Sequence, residues 1–381
     1  MGAVRVAFYC PLASTAEPQA SGDRTQALSV IAALRDQGHE VEIISEYKAK
    51  LFWRRAARWR LPAALWAARR RSRGFRPEAW LTFVSQPDAP DVMGPWLTAG
   101  RGVRYVIYKS PYRGRTYSDL RRREGNLRQT MVALPGWALH RVALRRADSV
   151  VVNKASDFKG YQQDPVVSPK LGLLWPAVPL GQFRPDEAQR ARVRQELGVP
   201  ADAAVLLSVG RLWDKRGRKA ISLKFLIDAT EELIGRGRRV RLVIVGDGAS
   251  RPEIEEHAAK LGPAVTFTGP VDYGDLPAWY NAADVFAYPG LQEFIGLVYL
   301  EAQACGVPVV AFANGGIPAI VKDGETGFLV PPMDQPAFVQ RLDQLVRDGE
   351  LRRRLGGAGR AHVQEHHDLE TWGKTLAGLL E

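Results

Sequence analysis

Along this chain, short unbroken apolar runs alternate with stretches whose apolar residues recur every three or four positions. VRVAFYC (4–10) is such a run. A loop, PLASTAEPQASGDRT, follows it, QALSVIAALRDQG then has helical spacing, and VEIIS is a run again. Apolar runs bounded by turn residues predict strands, and the spaced pattern predicts helices. The opening is therefore a strand–helix–strand unit. AWLTFV, VRYVIY and DSVVVN repeat the strand signal further on. Alternation of this kind predicts a parallel sheet with helices on both faces.

The rhythm pauses at LLWPAVPLGQFRPDE, a Pro-rich stretch read as the linker between domains. A second series starts at AVLLSVG. ISLKFLIDATEELIGRG reads as a helix closed by glycine, VRLVIVGDG as a strand ending in a glycine turn, and IEEHAAKLG as a helix. VTFTG, DVFAYPG, VPVVAFA and TGFLVPP continue the strands. The predicted fold class is α/β, with two Rossmann-like doubly wound domains facing across a cleft. Their expected bounds are 1–183 and 184–366, with a C-terminal helix over 367–381 packing back on the first domain. A length of 381 residues also exceeds one ordinary core. Doubly wound sheets bind ligands beyond the carboxyl ends of their strands, and a cleft between domains is a common place for a site.

Composition adds a direction. The chain is 46% hydrophobic and 25% charged, as globular proteins are. It has no apolar stretch of the length a membrane-spanning helix needs, and MGAVRVAFYC reads as a strand rather than a signal peptide. Cys10 and Cys305 stand in neither a metal nor a redox spacing. They are expected as small buried residues in a reducing cytoplasm.

The net charge of +12 is unevenly placed. Residues 1–180 carry 29 Lys+Arg against 14 Asp+Glu, while 181–381 carry 24 against 27. A first half this basic calls for nucleic acid, anionic lipid or a phosphorylated ligand. Its densest part is 48–76, with 11 Lys or Arg, no acid, and Phe52, Trp53, Trp59, Trp66 and Phe75 interleaved. Leu51, Phe52, Trp59, Leu65 and Trp66 can share part of a helix face, although Pro62 interrupts the run. An anionic membrane surface is the favoured partner for such a belt. A solvated helix packing its aromatics on the core comes second, and nucleic acid is the least favoured.

One segment concentrates the chemistry: EFIGLVYLEAQACGVPVV, 293–310. It follows a predicted strand and reads as a helix ended by Gly306 and Pro308. Free N–H groups at its start, near Glu293, make an anion site. Glu301 stands eight residues on, roughly 12 Å along a helix. Two carboxylates at that spacing can each grip the paired hydroxyls of a sugar, with phosphates on the amides between. A charge at the helix start and an ion-paired helix residue are the plainer alternatives.

In its wider context, EFIGLVYLEAQACGVPVVAFANGGIPAIVKDGETGFLVPP resembles the signature of the family-4 glycosyltransferases (glycosyl transferases group 1), retaining enzymes of the two-Rossmann GT-B fold. The matching residues are Glu293, Glu301, Ala302, Ala304, Gly306, Pro308, Val309, Val310, Gly315, Gly316, Asp323, Gly324 and Gly327. Phe294-Ile295 departs from the usual Gly-Phe. The resemblance implies that Glu293 contacts hydroxyls of a donor sugar and that Glu301 holds the ribose of its nucleotide. It also implies that the amides of Gly296 and Leu297 meet the distal phosphate.

SVGRLWDKRGRKA is similar to the family's diphosphate loop, which assigns Arg211 to the diphosphate with Lys215 or Lys219 as its partner. LVIVGDG places Gly246 and Gly248 near the donor, where a plain tight turn is an equal alternative. VTFTGPV passes Thr268, Gly269 and Val271 by the base, and Asp275 to Tyr280 is expected to be mainly structural.

The first domain matches less well. Gly22 is assigned a backbone N–H against the diphosphate. Lys109 stands where the family often has a His near the reacting carbon, either supplying a cation or capping its strand. His39 is expected in a structural turn, and His366 and His367 at the surface.

The resulting expectation is a retaining, metal-independent transferase with no cofactor. It uses a nucleotide-diphospho-sugar and a glycan or lipid-linked envelope acceptor, in the cytoplasm at the inner face of the cell membrane. A catalytically inactive sugar- or membrane-binding scaffold and a nucleotide-sugar epimerase of the same fold are the alternatives. A dinucleotide oxidoreductase is weaker, since no G-x-G-x-x-G follows the first strand.

Overall fold

Val6, Ala7, Phe8 and Tyr9 are all fully buried, and so are most residues of the strands that follow. Such strands need cover on both faces, which is why their sequences are continuous apolar runs rather than alternating ones. The computed structural model describes every residue except 1, 17–21, 55, 115–118, 120–126, 214–215 and 292–295. It divides into two compact units, Met1–Trp175 with Glu370–Glu381, and Pro176–Leu369.

The first unit contains β1 (Arg5–Tyr9), α1 (Gly22–Asp36), β2 (Glu40–Ser45), α2 (Leu61–Phe75), β3 (Ala79–Phe83), α3 (Gly94–Leu97) and β4 (Arg104–Tyr108). It continues with α4 (Leu127–Arg146), β5 (Ser149–Val152), α5 (Ala155–Gln162) and β6 (Leu171–Leu173). Its strands form one parallel sheet in the order β2-β1-β3-β4-β5-β6.

The second unit contains α6 (Glu187–Glu196), β7 (Ala204–Val209), α7 (Arg218–Gly235), β8 (Val240–Val245), α8 (Arg251–Ala258), β9 (Val265–Gly269), α9 (Leu276–Ala282) and β10 (Val285–Tyr288). After these come α10 (Leu297–Ala304), β11 (Val309–Phe312), α11 (Ile317–Ile320), β12 (Gly327–Val330), α12 (Gln335–Arg347) and α13 (Gly349–His366). The sheet order is β12-β11-β10-β7-β8-β9, all parallel. The chain reverses its winding between β7 and β10, the switch point at which such sheets take ligands.

The last helix, α14 (Leu369–Leu380), packs on the first sheet's elements. The Trp372 ring lies 5.2 Å from that of Tyr108, and Gly373 approaches Ala33 too closely for a larger side chain to enter freely. Arg104 Nε donates to the Leu379 carbonyl at 2.7 Å.

Three local expectations are corrected. Pro62 does not interrupt a helix; it opens one, because in the first turn its missing N–H has no intrahelical acceptor to lose. The segment before it forms two 3₁₀ turns, Phe52–Arg54 and Ala56–Arg60. The Pro-rich stretch is preceded by a sixth strand, whose three half-buried residues are too few to show a pattern. His367 is not at the surface. It is buried, its Nδ1–H donates to the Pro176 carbonyl at 2.7 Å, and burial lowers its pKa to about 4. His39, by contrast, is a buried turn residue whose Nδ1 accepts from the Val4 N–H. Cys10 and Cys305 are both buried thiols. Among the described residues, no helix is long and apolar enough to cross a membrane.

Candidate active site

The carboxyl ends of β7, β8, β9 and β10 are where the sequence-assigned residues of the second unit gather. The fully buried strand β7 ends at Val209, and the chain turns outward through Gly210 to the exposed Arg211. Leu212 drops back into the core and fastens this loop to the next: its N–H donates to the Asp247 carbonyl, and its own carbonyl accepts from Ser250 N–H, both at 3.0 Å.

The two glycines after β8 are required by this contact. At Gly246, φ is +130° and a Cβ would stand 1.9 Å from the Gly210 carbonyl oxygen. At Gly248 a Cβ would come within 2.7 Å of the Leu212 backbone. Close backbone approach, which only glycine allows here, joins the loops after β7 and β8 into one rim. The Gly246 N–H then donates to the carbonyl of Gly269, itself at φ +76°, tying in the end of β9. Thr268 Oγ1 donates to the Gly269 carbonyl at 2.9 Å, and Val271 is packed half-buried against the core beside this rim.

Lys219 sits in the first turn of α7, which starts after Gly217 at φ +68°. Its ammonium donates to the Tyr288 hydroxyl and lies 4.7 Å from that ring's centroid. The cation is thereby fixed at the end of β10. Tyr288 is held in turn, for its carbonyl accepts from the Tyr299 hydroxyl at 2.9 Å.

Helix α10 begins where the sequence reading placed it. Gly296 is its N-cap at φ 57°, and a Cβ there would collide with the Tyr299 ring at 2.4 Å. Among the described residues no side chain caps this end; the Tyr299 N–H donates to the Gly296 carbonyl at 3.0 Å, while the N–H groups of Leu297 and Val298 come before the first i−4 acceptor of the helix and favour an anion. Glu293, Phe294 and Ile295 lie outside the described residues, as does Lys215.

Glu301 lies one turn further into α10 and is 3% exposed. Tyr280 donates its hydroxyl to Glu301 Oε2 at 2.7 Å, and Tyr273 bonds the same carboxyl. Burial outweighs these bonds and pushes the Glu301 pKa up to about 7. The same burial, with the carboxylate beside them, raises both tyrosines. No ion pair accompanies Glu301 among the described residues; the two phenols are its partners. The expectation of a mainly structural role for Tyr280 leaves this contact out. A phenol two elements away in sequence gives no pattern that points to a carboxyl, and only folding brings them together.

Residues 203–348 match the family model for glycosyl transferases group 1. A GDP-mannose-dependent alpha-(1-6)-phosphatidylinositol monomannoside mannosyltransferase of Mycolicibacterium smegmatis is 37% identical over 261 residues, which cover 64% of this chain and 67% of that protein. The chain belongs to the group 1 glycosyltransferases. A D-inositol 3-phosphate glycosyltransferase of Streptomyces scabiei is 36% identical over 233 residues, 58% of this chain. The chain spans about half the length of this relative, 51%. Anabaena HepE, solved in complex with UDP, superposes with a TM-score of 0.74 over 99% of both chains at 19% identity, which shows the shared GT-B fold.

The matched segment of this transferase-family member takes in Arg211, Lys219, Gly246, Gly248, Thr268, Gly269, Val271, Gly296, Leu297 and Glu301. Gly22 and Lys109 lie outside it. Gly22 is the first residue of α1. Lys109 directly follows β4 at φ +63°, a left-handed conformation that costs a side-chain-bearing residue energy. Its ammonium donates to Gln26 Oε1 and lies 5.4 Å from the Phe83 ring centroid.

Proposed function

We propose that this chain is a retaining glycosyltransferase that moves a sugar from a nucleotide-diphospho-sugar to an envelope glycan or a lipid-linked precursor. The observation that carries the reading is Glu301. It is a buried carboxyl on α10, fixed by two phenols, five residues beyond the helix N-cap Gly296. A carboxylate accepts from two neighbouring hydroxyls, so it suits a ribose, and the helix start suits the phosphates beside it.

The chemistry follows from where charge develops. As the sugar–phosphate bond stretches, negative charge grows on the leaving diphosphate. Arg211, Lys219 and the α10 N–H groups stand at the carboxyl edge to stabilise it. These cations take the part that a metal ion plays elsewhere, and the donor enters as substrate rather than cofactor. Glu293 contacts the donor sugar, and Lys109 supplies a further cation. The acceptor attacks the face the diphosphate leaves, and the leaving phosphate takes its proton. That the relatives include a phosphatidylinositol mannoside mannosyltransferase supports a lipid-linked acceptor.

The belt at 48–76 supports a place at an anionic membrane surface on the cytoplasmic side. Trp59 is 74% exposed and Trp66 65%, with Arg58 4.9 Å and Arg70 5.9 Å from their ring centroids. Trp53 Nε1 donates to the Val132 carbonyl, which brings α4 beside this region, and α4 shows Leu127 and Met131 to solvent. Exposed aromatics backed by arginine suit the interface of an anionic bilayer.

Thermal shift with UDP, GDP, ADP and CMP and their sugars tests the donor. One nucleotide family is expected to raise the melting temperature, since a ligand stabilises the state it binds. Glu293→Gln is then expected to lower turnover at least about 100-fold while nucleotide affinity changes by less than about 3-fold, because the sugar contact counts mainly in the transition state. Equal losses in both would remove Glu293 from the reaction.

A further inference from the structure

We propose that a ribose reaches Glu301 by exchange: the Tyr273 hydroxyl gives way to it, while the Tyr280 hydroxyl stays and holds the carboxyl in place. The exchange rests on the proposed role of Glu301 as the ribose carboxyl. Glu301 is almost wholly buried, and both phenols bond its carboxyl. That leaves no room for a sugar beside them, so one phenol has to move aside. The carboxyl still needs partners while this happens, because a buried charge without hydrogen bonds is costly. One phenol must therefore remain.

The two phenols stand in different surroundings. Tyr280 is a fully buried residue of α9. Its ring packs against those of Phe183 and Phe286, with centroids 5.9 Å and 5.7 Å away, and both of these are fully buried as well. Its hydroxyl donates to Glu301 Oε2 at 2.7 Å. A ring enclosed in a close-packed core cannot swing away without opening that core. Tyr280 is thus the fixed partner, a positioning residue that acts through Glu301.

Tyr273 lies in the loop between β9 and α9 and is only half-buried. Its ring lies 5.3 Å from that of Phe183, and part of its surface meets solvent. Its backbone is held separately, for its carbonyl accepts from Gln182 Nε2 at 3.1 Å. A change of side-chain rotamer can therefore free the carboxyl while the loop stays where it is. A phenol and a ribose are both O–H donors, and a carboxylate offers about four lone-pair sites. The exchange replaces one hydroxyl by two neighbouring ones, and Tyr280 keeps its place on Oε2.

Isothermal titration of the full chain with UDP, GDP and ADP, each beside its dideoxyribose analogue, tests this. The pH is set well above the value of about 7 at which Glu301 titrates, so that the carboxyl is ionised. At least one nucleotide is expected to bind more tightly than its analogue. For that nucleotide, Tyr273→Phe removes only the competing hydroxyl and is expected to tighten binding about fivefold, while Tyr280→Phe weakens it about tenfold. Opposite signs mark the exchange, since two phenols that only supported the fold would both weaken binding when changed. Tyr273→Phe decides by itself if Tyr280→Phe does not fold. Unchanged or weaker binding by Tyr273→Phe, in a protein that prefers the ribonucleotide, overturns the exchange and leaves the role of Glu301 standing. No preference for any ribonucleotide, or equal binding by Glu301→Gln, overturns both.

Discussion

Both sheets are six-stranded, parallel and doubly wound, yet their carboxyl ends are finished by different means. In the second unit, loops are pressed backbone to backbone, with Gly246 on Gly210 and Gly248 on Leu212, and the rim needs glycine to exist. In the first unit the corresponding positions after β3 and β4 are Val84 and Lys109, both left-handed, at φ +61° and +63°. Behind them lies a buried polar cluster rather than glycines. The Ser85 hydroxyl and His140 Nδ1 are 3.1 Å apart, and the Ser110 and Tyr161 hydroxyls are also 3.1 Å apart. Burial drives the His140 pKa down to about 3, so this cluster is neutral. One edge is shaped by what the backbone must avoid, the other by side chains that hold strained residues in place. The first kind of edge tolerates little change, since a Cβ at Gly246 or Gly248 would meet backbone.

Substitutions can break or sharpen that contrast. The largest effect is expected at Gly246→Ala, where the Cβ would meet a carbonyl oxygen that cannot move aside. A loss of about 3 kcal/mol, measured by chemical denaturation, combines backbone strain with overpacking. A loss below about 1 kcal/mol would mean that the rim is as adaptable as the first edge.

Glu301 gives an effect of similar size through pH. Its carboxyl titrates near 4.5 when unfolded and about 7 when buried. A raised folded pKa means the buried, protonated form stabilises fully below pH 4.5, and that advantage is lost as pH rises through 7. Relative to Glu301→Gln, the wild type is expected to lose about 3 kcal/mol between pH 4.5 and 8. Parallel pH profiles for the two proteins would remove the buried carboxyl from the account.

Lys109→Gly relieves left-handed strain but adds glycine's unfolded-state entropy. Stability is expected to change by no more than about 1 kcal/mol while product formation falls. A larger destabilisation, with turnover kept, would make Lys109 a strand cap alone. The smallest change in stability, under about 0.5 kcal/mol, is expected for Trp59→Ser with Trp66→Ser, because both rings are exposed. Flotation with anionic liposomes should nevertheless fall, and unchanged flotation would discard the membrane reading.

Much of this was legible beforehand, for reasons that differ by residue. Strands buried on both faces appear as unbroken apolar runs, so β1, β7 and β8 could be read directly. The start of α10 could be read as well, because Gly296, the apolar spacing after it and Gly306 are all local signals. Strand β6 was not legible, being three half-buried residues at an edge. Pro62 carries no local signal of its role, because the effect of a proline depends on whether a helix has already begun.

Residue order alone sets the local and the periodic: strand runs, helix spacing, the glycine turns, the basic belt and the eight-residue interval from Glu293 to Glu301. The partner that each polar group finds is set by the packing of whole elements. Tyr280 on Glu301, Tyr288 under Lys219, Gln26 on Lys109 and Pro176 on His367 are contacts between residues distant in the chain. A hydrogen bond depends on distances of a few tenths of an ångström, and such distances are set by the packing of whole elements, which no residue spacing encodes.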